Sequence, residues 1–420
     1  MPRSDRLDQI KLAAGKKLLH SGRAIQFLES RVTRDLTSRP ADRVVARFAL
    51  DLIRQLYASR ETRIVWSTVF FPSELLWGLG LVPFFPEIGA AVGAGIGFAE
   101  GALGRAAVEG YAVDICTFHR ALAGLALEGL FPRADALIAT SHLCDVSGQS
   151  LANHAHREGR PFFFVDVPTT DDEQAIDYVE RQLDLTAHAL CEAFGIPFDL
   201  DRVCEAMRLS NEARAAVLEQ IALRATRPAP LRGSGMIAQI GLTVMLFGSP
   251  FGVEYHRALR DYVRERIETQ TPEQSNQKLR LYWMHLRPYF GTEFMPHLEN
   301  DLGVVIAFEE TSSIWWEPLD EERPLRSLAR KMLSNYLVGP VERRIAKALE
   351  HIERYECDGA IHFNHWGCRQ STGALRVIRD TLKRHDIPFL QIDGDCIDSA
   401  NLQLGPLLTR VEAFVETLAQ

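Results

Sequence analysis

The sequence predicts an α/β protein built from two parallel-sheet units, and three observations carry that prediction. One pattern occurs twice. It reads first as the apolar run Ala136–Thr140, a polar turn Ser141-His142-Leu143-Cys144, a helical stretch and a second apolar run opening at Pro161-Phe162. It returns as Ala360–Phe363, the turn Asn364-His365-Trp366-Gly367-Cys368, a helical stretch and a run opening at Pro388-Phe389. Apolar runs that alternate with helical segments mark parallel strands joined by crossovers. Finally, the stretch from Asp171 to about Ser275 carries no strand pattern and is rich in Leu, Ala, Glu and Arg at helical spacing.

Taken in order, residues 1–60 read as a helical arm. Apolar positions recur at Leu7, Ile10 and Leu12, at Ile25, Phe27 and Leu28, and from Val44 to Ile53, with charges between them. Residues 61–170 form the first α/β unit, opening with a strand at Arg63–Val69. Pro72 then starts a helix that Gly80 ends. The very apolar stretch Leu79–Leu103 carries Glu87, Glu100, glycines and prolines, so it reads as buried loop and helix and not as a membrane span. Within it, Gly93–Gly101 imitates a dinucleotide loop, but the glycine spacing is wrong and no strand leads into it. Residues 171–275 form a helical insertion. Residues 276–420 form the second α/β unit, with strands at Leu279–Met284, Val304–Phe308, Ala360–Phe363 and from Phe389.

A chain of 420 residues exceeds one ordinary core. The net charge of −8 argues against a nucleic-acid surface. No apolar core follows Met1-Pro2-Arg3, so a cytoplasmic protein is expected. An odd count of seven cysteines in that setting disfavours disulfides and leaves metal or reactive roles open. Cys116, Cys144, Cys368 and Cys396 lie in polar or turn contexts. Cys191 and Cys204 sit in helical patterns and read as core, and Cys357 reads as packing. No Cys-x-x-Cys exists, so zinc ribbons and local ferredoxin motifs are excluded. Three readings stay open on the residues alone: a metal site assembled from distant loops, inert thiols, and a Cys–His nucleophile using His119, His142 or His365. In open parallel sheets ligands bind beyond the carboxyl ends of the strands, where the turns with Cys144 and Cys368 fall.

These contexts resemble a known family, the 2-hydroxyacyl-CoA dehydratases of the 2-hydroxyglutaryl-CoA dehydratase D-component type, with the related ATP-dependent benzoyl-CoA reductases and double-cubane cluster proteins. The resemblance runs from about Trp66 to Phe414. It rests on Phe71-Pro72-Ser73-Glu74-Leu75, on Cys116 in Asp114-Ile115-Cys116, on Cys144-Asp145, on Asp358-Gly359-Ala360-Ile361 leading to Cys368-Arg369, and on Gly394-Asp395 with Arg410–Phe414. The order and completeness of these motifs carry it, since none is diagnostic alone.

The resemblance implies two Rossmann-like units with a cluster cleft between them. It implies that Cys116, Cys144 and Cys368 hold one [4Fe-4S] cluster with an open iron position. Cys396 would be a further ligand of a double-cubane [8Fe-9S] group or a thiol behind the ligands. His142, His365 and Arg369 would support the ligands; their plain alternatives are turn residues in solvent. Glu74 would act on or orient the thioester beside Ser67, against the plainer readings of a first-turn carboxylate and a strand-end hydroxyl. The implied activity is one-electron, ketyl-radical chemistry on an acyl-CoA thioester, giving dehydration or reduction. The resemblance implies that the electron comes from a separate ATP-dependent activator iron–sulfur protein, which fits the lack of a Gly-x4-Gly-Lys-Ser/Thr loop in this sequence. The expected assembly is a homodimer or a heterodimer with a paralogous subunit, without nucleic acid or membrane. The competing functions are a double-cubane reductase of small molecules without CoA and a cluster-free, non-catalytic partner subunit.

Overall fold

The computed structural model describes residues 39–58, 61–237 and 239–420, so the helical pattern read between Leu7 and Leu28 lies outside the described residues. The arm is represented by the helix Pro40–Ile53, which starts on a proline and buries Ala41, Val44 and Phe48. A proline costs nothing there because first-turn N–H groups have no intrahelical partner. The helices Pro86–Gly95, Pro250–Glu268 and Pro324–Leu333 begin the same way.

Two four-stranded sheets follow. The first contains β1 (Ile64–Ser67), β2 (Val82–Phe84), β3 (Ala136–Thr140) and β4 (Phe162–Val165) in the order β2-β1-β3-β4. The second contains β5 (Leu279–Met284), β6 (Val304–Glu309), β7 (Gly359–His365) and β8 (Phe389–Gly394) in the order β6-β5-β7-β8. Every neighbouring pair is parallel. The two sheets therefore share one topology, which is the structural form of the repeat seen in the sequence. Their central strands β1, β3 and β7 are buried along their whole length, as parallel strands covered by helices on both faces must be.

The sequence reading lacks β2. It is three residues long with Pro83 at its centre, a composition that reads as a turn. Proline is tolerated there because β2 is an edge strand and needs a ladder on one side only.

Between the sheets, residues 173–268 contain only helices among the described residues: Glu173–Phe194, Leu200–Leu223, Gly233–Met236, Gln239–Leu246 and Pro250–Glu268. Asp172, Asp199 and Ser249 cap three of them through their side chains. Arg224 closes this region onto the second sheet by a buried bidentate pair with Glu309, 2.6 Å at each nitrogen. One apolar cluster runs from Val65 and Ile138 of the first sheet, through Val203 and Met207, to Tyr282 and Ala360 of the second. No described helix is long and apolar enough to cross a membrane.

Candidate functional site

In the order β2-β1-β3-β4 the chain moves outward from β1 to β2, then returns to the other side of β1 for β3. The switch point is therefore between β1 and β3, and in the second sheet between β5 and β7. Loops diverge at such a point and leave a crevice at the carboxyl ends of the strands. The loop after β3 carries Cys144 and the loop after β7 carries Cys368. Both border one cavity of about 220 Å³, together with Thr68 after β1, Glu87 and Ile88 after β2, His285 after β5 and Glu310 after β6. Cys116, from the crossover between β2 and β3, lines the same cavity.

All three cysteines occupy the same local position, the N-cap of a helix. Cys116 precedes Thr117–Leu127, Cys144 precedes Asp145–Glu158 and Cys368 precedes Arg369–Gly373. First-turn N–H groups then face each sulfur. Ser371 N donates to Cys368 Sγ at 3.4 Å, Phe118 and His119 face Cys116, and Val146 and Ser147 face Cys144. Such amides favour the thiolate, but burial wins. It pushes the Cys116 thiol well up, and Cys368 and Cys144 push it further. Burial likewise raises Cys144 and Cys368, the latter also through Cys144. Cys396 is fully buried behind the wall and raised by burial, by Asp395 and by Cys116 and Cys368. The four thiols thus share one electrostatic neighbourhood. Among the described residues, no three His, Cys, Asp or Glu side chains close on a single metal-ion position.

The rest of the wall is unusually rich in imidazole. His119, His142, His285 and His365 all line it. Among the described residues neither ring nitrogen of His142 has a partner, and burial holds its imidazole down at about 4. His119 is held at about 4 by burial and then by His365. His285 adopts a left-handed backbone, φ +69°, which costs a side-chain-bearing residue about 1–3 kcal/mol. It is held there by its N–H, which donates to Glu310 Oε2 at 3.0 Å, and its Nε2 stands 3.8 Å from Cys368 Sγ. Arg344 grips Glu310 with two bonds of 2.6 and 2.7 Å. Glu87 is the other carboxyl on the wall. Its Oε2 lacks a partner among the described residues, and burial pushes the carboxyl up to about 7.

Of the residues singled out from the sequence, Cys116, Cys144, Cys368, His142 and His365 meet at this cavity, and Cys396 lies just behind it. Three others do not line it. Glu74 is buried with its Oε1 bound by Lys331 Nζ at 2.5 Å and Ser210 Oγ at 2.8 Å, so its carboxylate ties the helix Ser73–Gly78 to Pro324–Leu333. Ser67 is wholly buried and donates to the Thr68 carbonyl, while Thr68 takes its place on the wall. Arg369 is exposed, and its neighbour Gln370 faces the cavity. Sequence reasoning missed Glu87, His285 and Glu310. The available signals were a carboxylate just after Pro86 in an apolar stretch, and a polar residue immediately after each of two strands.

Fold and site together define a duplicated α/β protein that delivers cysteines from both halves to a cavity at its switch points. Residues 68–418 match the family model described as 2-hydroxyglutaryl-CoA dehydratase, D-component, and the chain belongs to that family. It is 22% identical to the (R)-phenyllactyl-CoA dehydratase alpha subunit of Clostridium sporogenes, over 86% of this chain and 90% of that protein. It is 22% identical to the (R)-2-hydroxyisocaproyl-CoA dehydratase alpha subunit of Clostridioides difficile, over 88% and 95%. It is 24% identical to a benzoyl-CoA reductase subunit of Thauera aromatica, over 83% and 87%.

Proposed function

We propose that this chain is the cluster-bearing subunit of a dehydratase-type enzyme that acts on acyl-CoA thioesters in the cytoplasm, with Cys116, Cys144 and Cys368 holding one [4Fe-4S] cluster. The observation that carries this reading is the convergence of three N-cap cysteines on one cavity. The donor set suits the group. Thiolates are soft ligands for iron, and all seven cysteines are free. Thiols that raise one another's pKa are relieved when a cationic iron core binds among them. Helix N-terminal amides then complement the sulfur charge. When bound, the cluster supplies one-electron reducing power and, at an iron without a protein ligand, a Lewis acid for a substrate oxygen.

The chain's own side chains divide the remaining work. Ile88, Phe118, Leu286 and Tyr289 make an apolar wall that strips water from the acyl group. Glu87 keeps its proton up to about pH 7 and holds it at the cavity face, where a leaving hydroxyl would need one. The relatives are each designated as one subunit of an enzyme, which supports a second, partner subunit for this chain. The absence of a nucleotide-phosphate loop from the sequence supports a separate ATP-dependent electron donor.

A second reading, a double-cubane [8Fe-9S] group, is favoured by one observation: Cys396 shares the electrostatic neighbourhood of Cys116 and Cys368. Iron and sulfide counts on anaerobically purified protein decide among these. About four irons per chain supports the single cubane, about eight the double one, and none a cluster-free subunit. Cys116→Ala, Cys144→Ala and Cys368→Ala should each sharply lower the count, and full iron in all three refutes the ligand assignment. Acyl-CoA turnover should need an external low-potential reductant, and turnover on NADH alone would contradict the proposal.

A further inference from the structure

His365 is the side chain through which Cys116 is most directly held. Its Nε2 stands 3.3 Å from Cys116 Sγ. Its Nδ1 accepts the backbone N–H of Cys396, also at 3.3 Å. A neutral imidazole carries one proton, so a ring whose Nδ1 is an acceptor carries it on Nε2. The hydrogen on Nε2 then points at the Cys116 sulfur. The ring is almost wholly buried and is braced by the edge-on ring of Phe118, with centroids 5.6 Å apart.

Two acceptors could reverse this tautomer, the Gly394 carbonyl, which already accepts the Trp366 N–H at 3.1 Å, and the Asp395 carboxylate, which is committed elsewhere. Its Oδ1 lies 3.7 Å from Nδ1, too far for a hydrogen bond. That oxygen accepts Thr117 Oγ1 at 2.6 Å and the N–H groups of Ile397 and Asp398 at 2.8 and 3.0 Å. Its Oδ2 accepts Trp366 Nε1 at 2.8 Å and Asn401 Nδ2 at 3.1 Å. Asp395 therefore clamps the residue after Cys116 to the loop that leads into Cys368. A cysteine nucleophile would need the opposite arrangement, with a bare Nε2 facing the thiol and Nδ1–H on the carboxylate. A nucleophilic Cys116–His365 pair is not what this geometry builds.

We propose that His365 is a positioning residue that donates an N–H···S hydrogen bond to Cys116 and thereby raises the reduction potential of the metal group this cysteine holds. The inference rests on Cys116 being a ligand. Hydrogen bonds to ligand sulfur withdraw electron density and stabilise the reduced form more than the oxidised one. Among the described residues, neither of the other two cysteines has a side-chain N–H this close, although Cys368 Sγ accepts the backbone N–H of Ser371 at 3.4 Å. His285 approaches Cys368 only to 3.8 Å, and Cys144 is faced by backbone amides. The effect is thus local to one corner of the site.

The test compares the anaerobically loaded full chain with His365→Leu and His365→Gln, by redox titration followed through visible absorbance, with iron measured on each sample. His365→Leu should retain iron and titrate at a lower potential than the parent. His365→Gln, which keeps an N–H within reach of the sulfur, should fall between them. An unchanged potential in iron-replete His365→Leu overturns the inference, and so does an equal shift in both variants. Should His365→Leu lose its iron, nitrogen-15 NMR of the histidine-labelled parent chain decides, without metal. A proton on Nε2 supports the inference, and one on Nδ1 overturns it. Failure of the ligand reading is seen separately, as full iron in Cys116→Ala.

Discussion

Gly367 lies so close against the backbone of Cys116 that a Cβ at Gly367 would stand 2.8 Å from the Cys116 Cα. The two residues come from different halves of the chain, and only a hydrogen at position 367 lets their loops approach. Gly367→Ala should force the loops apart, because backbone atoms stand where the new Cβ would go. The expected outcome is a loss of about 1–3 kcal/mol in stability, typical of overpacking, together with a marked fall in iron bound per chain. Denaturant unfolding and an iron assay check it. Normal iron would show that the Cys116 and Cys368 loops need not meet.

Glu74, wholly buried, pairs with the largely buried Lys331. Removing one partner leaves an uncompensated charge, which costs about 3–5 kcal/mol, whereas removing both restores much of the loss. Lys331→Met should therefore be strongly destabilised and Glu74→Gln/Lys331→Met much less so, with iron content unchanged in the folded fraction. Guanidinium titrations of the three proteins measure this. A Glu74→Gln protein of parental stability that lost all turnover would instead return Glu74 to a catalytic role.

The fold is legible in the sequence where the physics is local and periodic. Buried parallel strands such as Ala136–Thr140 are continuous apolar runs, and the repeated turns carrying Cys144 and Cys368 mark where the sheets open. Four cysteines stand out by their polar turns, and the structure gathers three of them at one cavity with Cys396 behind it; which of them act together is implied by the order of the family motifs and not by their spacing. What escapes is non-local. Nothing around Glu74 in the sequence says that Lys331 and Ser210 will reach it across the fold, so its match to the family's Pro-x-Glu position leaves the substrate role open beside that of a first-turn carboxylate. Glu87 escapes for the converse reason. It looks like a charge needed to keep an apolar stretch soluble, and only packing places it on the cavity wall. Strand β2 is lost because its edge position, which excuses Pro83, is a property of the sheet and not of the segment.

His256 gives a pH prediction independent of the cavity. It is buried against Phe247 and Tyr255, and burial lowers its imidazole from 6.5 to about 3. A depressed folded-state value means that the unfolded chain binds the proton first as pH falls. The stability held above pH 6.5 is therefore lost progressively down to about pH 3. By pH 4.5 this one residue removes about 2–3 kcal/mol. His256→Phe should be less sensitive to acid than the parent, so the gap between melting temperatures at pH 7 and pH 4.5 should narrow. An unchanged gap would mean that His256 is charged, or accessible to solvent, in the folded protein.

Glu87 yields the sharpest test of the proposed chemistry. Its carboxyl lines the cavity beside Cys144, which it pushes upward, and burial keeps it protonated to about pH 7. A carboxylic acid poised there can give its proton to a departing hydroxyl up to about pH 7, and proton transfer of this kind contributes about 10²–10⁴-fold to rate. Glu87→Gln keeps the shape of the side chain and removes the transferable proton. It should bind iron as the parent does and lose kcat by about two to four orders of magnitude. The pH dependence carries the sign. An acid that must be protonated supports activity below about pH 7 and loses it as pH rises through that value, so the parent's kcat should fall above pH 7. The residual activity of Glu87→Gln should show no such fall. A variant with parental kcat, or a parent profile that rises through pH 7, would exclude Glu87 as the proton donor and leave it as a buried acid that merely shapes the wall.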